Sequence, residues 1–404
     1  MRSSKVQIIL LFLFTIFLIS GTVHAETPES LTSYIDAHNR FILNGKAFFP
    51  LGLYVVQSLT DTSQLDEIAN STFNTLMNYN INNGTDAQRM NYLNQLESRN
   101  LKLIFSLSEY FGHGIEDMDT ITRKVNTFKN HPAIISWYIN DERGPEYLPE
   151  LVARYETIKK LDGNHPVWSV HWNTNWLIRE AHTTDIVGVD PYPIDNNPIT
   201  LVSRMADGAR QAGKPLWLVP QIFDWRDYPN DPAGRDRTGR PPTRDEMRAM
   251  TYLAINHGAK GLIYYSYFNI RDDIDYKTRW EEIKRIVSEI DRLRPVLLST
   301  QQTNDNDIIC NNRNIDYKLM REGHTYYLFA VNTKNRMITG VSFRNDLANK
   351  PSMISVLFEN GRQIAVTGGK FTDNFGPYEV HIYHWVESLS PAPFSRLSSQ
   401  RSQR

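Results

Sequence analysis

The segment SWYINDERG, Ser136 to Gly144, ends an apolar, strand-like run on two adjacent carboxyls, Asp141 and Glu142. A strand that ends in charge is either leaving the core for water or delivering an acid to a reaction. Other apolar runs in the chain also stop on polar or aromatic residues. Their ends carry Tyr54, Asn78, Glu109, His171, Trp172, Asp190, Tyr192, Gln221, Asp224, Trp225 and Tyr265, together with Asn140 beside the acidic pair. Carboxylates and amides hydrogen-bond hydroxyls, and flat rings stack on sugar faces. A carbohydrate is the simplest ligand that uses all three.

Strict alternation along Ser136–Glu142 puts Tyr138, Asn140 and Glu142 on one face and Trp137, Ile139 and Asp141 on the other. The apolar pair Trp137 and Ile139 suits packing against helices, so Glu142 is expected to point inward. A carboxyl held among aromatics is partly desolvated, which raises its pKa and keeps it protonated as a general acid. The competing reading is an ion pair between Glu142 and Arg143 or a loop arginine. Asp190 can reach the same place, as a second catalytic carboxyl or as an acceptor for loop N–H groups. His171 is a candidate hydrogen-bonder to substrate. Trp172, Trp225 and Tyr265 are candidate stacking platforms, or simply core aromatics. The spacing of His165, His171 and His182 fits no metal pattern, and no cofactor is expected.

These residues need a scaffold that brings many strand ends together. Short apolar runs at Phe48–Tyr54, Phe73–Tyr79, Leu101–Leu107, Ile134–Glu142, Pro166–Trp172, Asp185–Tyr192, Pro215–Phe223 and Gly258–Tyr267 lack strict alternation. Parallel strands buried on both faces read this way. Between them, Asp86–Ser98, Met118–Lys129, Pro149–Lys160 and Leu201–Ala212 carry apolar residues at helical spacing. Thr243 and Glu246 form a capping box before the helix 244–257, and Gly258 is its expected stop. Trp280–Leu293 is expected to end before Pro295. Eight strands with intervening helices predict an α/β fold, a closed (β/α)8 barrel over residues 34–298. A doubly wound open sheet is the runner-up, but no G-x-G-x-x-G or P-loop is present. The first strand is preceded by a hairpin turning at Asn44–Gly45. From Asp305 the pattern becomes alternating, and residues 305–387 are expected to form an all-β sandwich. Residues 388–404 are rich in Ser, Pro and Arg and are expected to be disordered.

The chain has 404 residues, 41% hydrophobic and 22% charged, with a formal net charge of −1. That balance carries no footprint for nucleic acid. Arg2 and Lys5 precede an apolar run, Val6–Ile19, and Val23-His24-Ala25 is a small-x-small cleavage site. Residues 1–25 therefore read as a leader cleaved after Ala25, giving a periplasmic or secreted protein with no stable membrane span after cleavage. Cys310 is the only cysteine, so no internal disulfide forms; its apolar neighbours predict burial. Composition says nothing about oligomeric state.

The segment HPAIISWYINDE resembles the fourth-strand motif of barrel glycoside hydrolases of the large retaining clan that includes β-galactosidases and cellulases. FILNGKAFFPLGLY is similar to that clan's first hairpin and strand. TDIVGVDPYPI and PPTRDEMRAMTYLAINHGAKGLIYYSY are similar to its sixth strand and to its seventh helix with the eighth strand. The resemblance covers roughly Arg40 to Leu298. It implies a carbohydrate substrate and an acid/base glutamate at Glu142, with Asp141 where well-studied members carry Asn. It also implies a nucleophilic glutamate at the end of the seventh strand, where this chain has Gln221. An amide cannot form a glycosyl-enzyme intermediate. Asp190 or Asp224 as base would give inversion, at a carboxyl separation of about 6.5–9.5 Å. Asp224 as nucleophile, about 5–5.5 Å from Glu142, would give retention. Asp141 beside Glu142 resembles the paired Asp-Glu of β-hexosaminidases and would suit substrate-assisted cleavage. The alternative function is a carbohydrate-binding barrel that has lost its nucleophile. The loop Trp225–Pro242 is long for its place and is expected to cover the mouth.

Overall fold

The computed structural model describes residues 32–108, 118–228, 239–345, 347 and 351–387. The expected leader and the expected disordered tail lie outside the described residues. Three short antiparallel strands come first: β1 (Ser33–Ile35), β2 (Phe41–Leu43) and β3 (Lys46–Phe48). Asn44 and Gly45 turn between β2 and β3 with φ of 49° and 73°, the left-handed conformation that a tight hairpin requires.

Eight parallel strands follow: β4 (Leu51–Val55), β5 (Thr75–Asn78), β6 (Lys102–Ser106), β7 (Ile134–Asp141), β8 (Val167–His171), β9 (Ile186–Val189), β10 (Leu216–Leu218) and β11 (Ala259–Tyr264). They close into a barrel in the order β10-β11-β4-β5-β6-β7-β8-β9. Each expected strand region overlaps one of them, and the fold is the expected (β/α)8 barrel. Outward-facing residues such as Phe105, Trp137, Ile139 and Val187 join the helices in one apolar layer. Inward-facing Tyr54, Met77, Ile104, Tyr138, Trp168, Trp217 and Ile263 fill the interior. Gly188 makes room there. A Cβ at that position would lie 2.7 Å from the Trp168 indole nitrogen and from Val170. The β1–β3 sheet closes the floor: Phe41 packs edge-on against Trp217 at 5.3 Å, and Ser33 Oγ donates to the Ile135 carbonyl at 3.0 Å. The opposite end, where the strands terminate, is left for the site.

The helices Asp86–Glu97, Met118–Phe128, Leu148–Leu161, Leu201–Arg210 and Arg244–Asn256 stand where the apolar spacing predicts them. Thr243 and Glu246 form the expected capping box, and Gly258 follows with φ +91°. One expectation is corrected. The last barrel helix runs Tyr276–Leu297 and contains Pro295. In the final turn proline forfeits a single intrahelical bond. Val296 and Leu297 are buried, which offsets that loss. The short helix Thr174–Glu180 has no clear periodicity and was not anticipated.

The C-terminal part is all β, with strands β12 (Ile308–Cys310), β13 (Ile315–Glu322), β14 (Thr325–Asn332), β15 (Ile338–Asn345), β16 (Met353–Val356), β17 (Gln363–Ala365), β18 (Lys370–Phe375) and β19 (Val380–Val386). They form two sheets, β12-β15-β18 and β13-β14-β19-β16-β17. Leu328, Ala330, Phe343, Phe371 and Tyr383 share the core between them. Cys310 lies on the edge strand β12 and is half-buried rather than buried.

Barrel and sandwich share a core. The helix Arg244–Asn256 is buried from Glu246 to Asn256 because it is covered by strands on both sides. Tyr252 stacks on Phe329 with ring centroids 6.0 Å apart, and Arg248 donates to the Val380 carbonyl at 2.6 Å. His257 ties the two parts together. Its Nδ1 meets Asp207 at 2.8 Å and its Nε2 meets Asp316 of β13 at 2.8 Å. Burial alone would lower the His257 pKa, but the two carboxylates outweigh it and raise the value. Stability from this contact is full below the ordinary histidine value near 6.5 and is lost as pH rises through the raised folded value. His257→Ala is expected to cost about 1.5–3 kcal/mol near pH 6 and clearly less at pH 9. Urea melts of both proteins at the two pH values measure this; an equal cost at both would remove the ionic contribution.

Candidate active site

The acidic end of β7 is shaped by a β-bulge. Tyr138 pairs with Trp168, but the next pair is Asn140 with Ser169, so Ile139 is an extra residue. A bulge resets the alternation beyond it. Asp141 therefore sits opposite Val170, which lines the barrel interior, and Asn140 turns toward the helices. The sequence reading had these two reversed, because strict alternation cannot include an unpaired residue. Glu142 leaves the strand with φ +57°. Its N–H donates to the Val170 carbonyl at 3.0 Å, and the Arg143 N–H donates to Asn140 Oδ1 at 3.1 Å, closing the turn around it. The Glu142 carboxyl is thereby brought back over the mouth, near enough for its charge to act on Asp190, just past the end of β9.

Three carboxyls thus meet at the mouth in different settings. Glu142 is exposed to solvent. Asp190 is only 6% exposed. Its pKa stands well above the ordinary carboxyl value, through burial first, then the charge of Glu142, then the charge of Asp141. Burial and the Glu142 charge push Asp141 up to about 6. Hydroxyl donors oppose that rise: Tyr138 donates to Asp141 Oδ1 at 2.8 Å and Tyr79 to Oδ2 at 3.1 Å. Tyr54 meets Tyr138 edge-on, with ring centroids 6.5 Å apart. The desolvated acid expected at Glu142 is therefore found in its two neighbours. No ion pair joins Glu142 to a described arginine; the Arg143 guanidinium lies over the Tyr147 ring, 4.9 Å from its centroid.

Aromatic rings wall the mouth. Tyr265 lies 5.2 Å from Tyr54 and stacks on Tyr192 at 5.5 Å. Tyr192 in turn meets Phe223 at 4.9 Å and Trp225 at 6.2 Å. Trp225 is buried within this cluster. Trp172 stands on the loop after β8, 52% exposed, with Trp176 edge-on at 5.1 Å. Tyr79 and Tyr138 were missed as site residues. Tyr138 was legible as inward-facing, whereas Tyr79 lies just past the end of β5, where no pattern fixes direction.

Several sequence candidates do other work. Gln221 is fully buried; its Oε1 accepts from the Ile194 N–H at 2.8 Å, while Nε2 donates to the Ile194 and Phe223 carbonyls at 2.5 and 3.2 Å. Its amide is committed to backbone and is not offered to a substrate. Asp224 is committed as well. Its Oδ1 accepts from the Arg226 N–H at 2.9 Å, and Oδ2 accepts from Arg226 Nε at 2.8 Å. As a catalytic carboxylate it has no free oxygen facing the mouth. Asn78 accepts from the Gln57 and Asn80 N–H groups at 3.1 and 3.0 Å and donates to the Gln57 carbonyl at 3.2 Å.

His171 and Asn140 face outward, against the helix Thr174–Glu180. Asn140 Nδ2 lies 3.3 Å from His171 Nε2 and 3.4 Å from Glu180 Oε2. His171 Nδ1 and Glu180 are 3.7 Å apart, a distance that suggests an ion pair. Burial argues otherwise: it drives His171 down to about 4 and, aided by Glu146, lifts Glu180 to about 7. Between those values both are neutral, so the contact is polar rather than ionic. Glu109 and residues 229–238 of the expected covering loop lie outside the described residues.

The barrel domain of glycosyl hydrolases family 2 matches residues 85–216. No curated protein matches the sequence. Among solved structures, one described as a glycoside hydrolase superposes with a TM-score of 0.63 at 14% identity, over 88% of this chain and 97% of its own. A family 5 glycoside hydrolase from Bacteroides vulgatus gives 0.61 at 12%, over 88% and 93%. A β-galactosidase from Bacillus circulans sp. alkalophilus gives 0.59 at 9%, over 83% and 99%. The resemblance read from the sequence thus holds for the barrel fold and for the all-β part that follows it.

Two outcomes are expected. Asp141→Asn removes a carboxyl whose pKa is raised from 3.8 to about 6, a penalty on the order of 3 kcal/mol at pH 7. The folded state binds the extra proton, so the penalty fades as pH falls through 6 and is all but gone below 3.8. The variant should melt higher than the parent at pH 7 and level with it near pH 4. Gln221→Glu sets a carboxylate against two carbonyls and should cost at least about 2 kcal/mol in chemical denaturation; an unchanged midpoint would mean that the amide clamp is dispensable.

Proposed function

We propose that this chain is an exported glycoside hydrolase in which Glu142 and Asp190 act as one proton-sharing pair on a poly- or oligosaccharide. The observation that carries the reading is their closeness, one member exposed and one buried, in a tyrosine-walled barrel mouth. Two neighbouring carboxyls resist double ionisation, and burial of Asp190 adds to that resistance. The pair shares one proton. Glu142, the exposed member, delivers it to the departing glycosidic oxygen as the bond to the anomeric carbon breaks. Water supplies hydroxide to that carbon and returns a proton to the pair. Asp141, held by Tyr79 and Tyr138, faces the positive charge that develops on the ring.

A double displacement through the seventh strand has no support, since Gln221 is an amide tied to backbone and Asp224 is tied to Arg226. The reading leaves Asp190 and Asp141 as the partners of Glu142. Export rests on Arg2, Lys5, the apolar run Val6–Ile19 and cleavage after Ala25, which would release the chain to the periplasm or the medium. The domain limits read from the sequence, 34–298 and 305–387, serve as the proposed boundaries. The clamped Gln221 also favours a second reading, a barrel that binds carbohydrate without cleaving it.

On a cleavable glycan, Glu142→Gln and Asp190→Asn should each lower kcat about 10²–10⁴-fold. Turnover unchanged by Glu142→Gln would end the acid assignment. Glycan affinity without product after long incubation would favour the binding protein.

A further inference from the structure

We infer that Trp172 is the platform for a further sugar ring of a chain that passes over Glu142 and Asp190, so that the site favours long saccharides over short ones. For turnover this rests on the hydrolase reading above; for binding it does not. The first ground is register. β8 lies between β7 and β9 in the barrel. It pairs with β9 without a break, and its last residue, His171, stands opposite Val189. On the other side the Glu142 N–H donates to the Val170 carbonyl at 3.0 Å. One step beyond His171 therefore brings Trp172 level with Asp190 and one residue past the level of Glu142. Neighbouring strands run about 4.8 Å apart, so the tryptophan springs from between the two carboxyl-bearing strand ends. Alternation adds direction. Trp168 and Val170 face the barrel interior and His171 faces the helix Thr174–Glu180, which turns Trp172 to the mouth side.

The second ground is how the ring is held. Trp172 is half exposed, yet Trp176 meets it edge-on at 5.1 Å. The residue between Trp172 and its helix is fixed as well: Asn173 Oδ1 accepts from the Asn175 and Trp176 N–H groups at 3.0 and 3.4 Å and starts the helix. A ring supported in this way loses little freedom when something stacks on it. The third ground is continuity with the mouth. The turn Pro145–Tyr147, which follows Glu142, packs against the helix Thr174–Glu180, and the charge of Glu146 reaches Glu180 on that helix. The segment carrying Glu142 and the helix carrying Trp176 thus form one rim. An occupant of this rim must lay C–H groups on a flat ring while its polar groups stay in water. A pyranose does so, with its hydroxyls around the edge, and a chain bound at the carboxyls carries one to this place.

The test is calorimetric titration of the full chain with cello-, xylo-, manno- and galacto-oligosaccharides of increasing length. Product is assayed in every mixture, and the association state is followed by sedimentation. In at least one series affinity should rise about tenfold once the chain is long enough to reach Trp172. Trp172→Ala, shown folded by its melt, should remove that gain, with a larger loss on long ligands than on short ones, and Trp172→Phe should restore most of it. Affinity independent of length, an equal loss on short and long ligands, or failure of every series to bind overturns the inference. Self-association that Trp172→Ala abolishes and sugar leaves untouched also overturns it and gives the ring to a second copy of the chain. Binding that depends on length and on Trp172, without product, sinks the hydrolase and leaves the platform. Cleavage without any length preference sinks the platform and leaves the hydrolase.

Discussion

One unpaired residue in β7 decides what the barrel mouth contains. With Ile139 bulged, Asp141 faces the interior and Asn140 faces the helices. Without the bulge the two would exchange places: an amide would line the mouth and a carboxylate would be pressed against His171 and Glu180. The bulge also ends the strand so that Glu142 can turn back over the opening in a left-handed conformation. That conformation is uncommon for a residue with a Cβ and needs support from its surroundings. The Asn140 side chain supplies it by accepting the Arg143 N–H. The positions of the Asp141 and Glu142 carboxyls therefore follow from strand register.

The polar strand ends divide into two kinds. Amides hold backbone: Asn78 pairs with both polar groups of Gln57, Gln221 with both of Ile194, and Asn140 with Arg143. A primary amide carries a donor and an acceptor side by side, so it can stand in for a neighbouring strand where the barrel ladder runs out. Carboxyls have no donor when ionised and cannot do this. The departure at Gln221 has a physical sense in these terms. The residue that would be a nucleophile in the resembled clan here fastens the loop after β9, the same loop that follows Asp190.

Much of the scaffold was legible because parallel strands buried on both faces leave unbroken apolar runs, and the eight runs fell where the strands are. The inward placement of Tyr138 followed from alternation alone. The bulge at Ile139 did not, since its signature is a pairing pattern and not a residue type. Amide clamps were invisible for a similar reason. Asn78 and Gln221 looked like substrate ligands because the sequence shows that they end strands, but not that another loop passes within hydrogen-bond reach. Pro295 was overweighted: its cost in the last turn is one hydrogen bond, and the burial of Val296 and Leu297 outweighs it.

Carboxyls gathered at one mouth repel one another and tend to push it open or draw in water. Here they are opposed by a frame that leaves little room to move. Tyr79 and Tyr138 fix Asp141 from two sides. The barrel interior beneath them is filled by Trp168, Trp217 and Tyr54, and the β1–β3 sheet closes the floor. On the outer side the helix Arg244–Asn256 is packed between the barrel, where β11 lies between β10 and β4, and the sandwich. Stability gathered in the packed layers holds Asp190 buried beside Asp141 and the exposed Glu142.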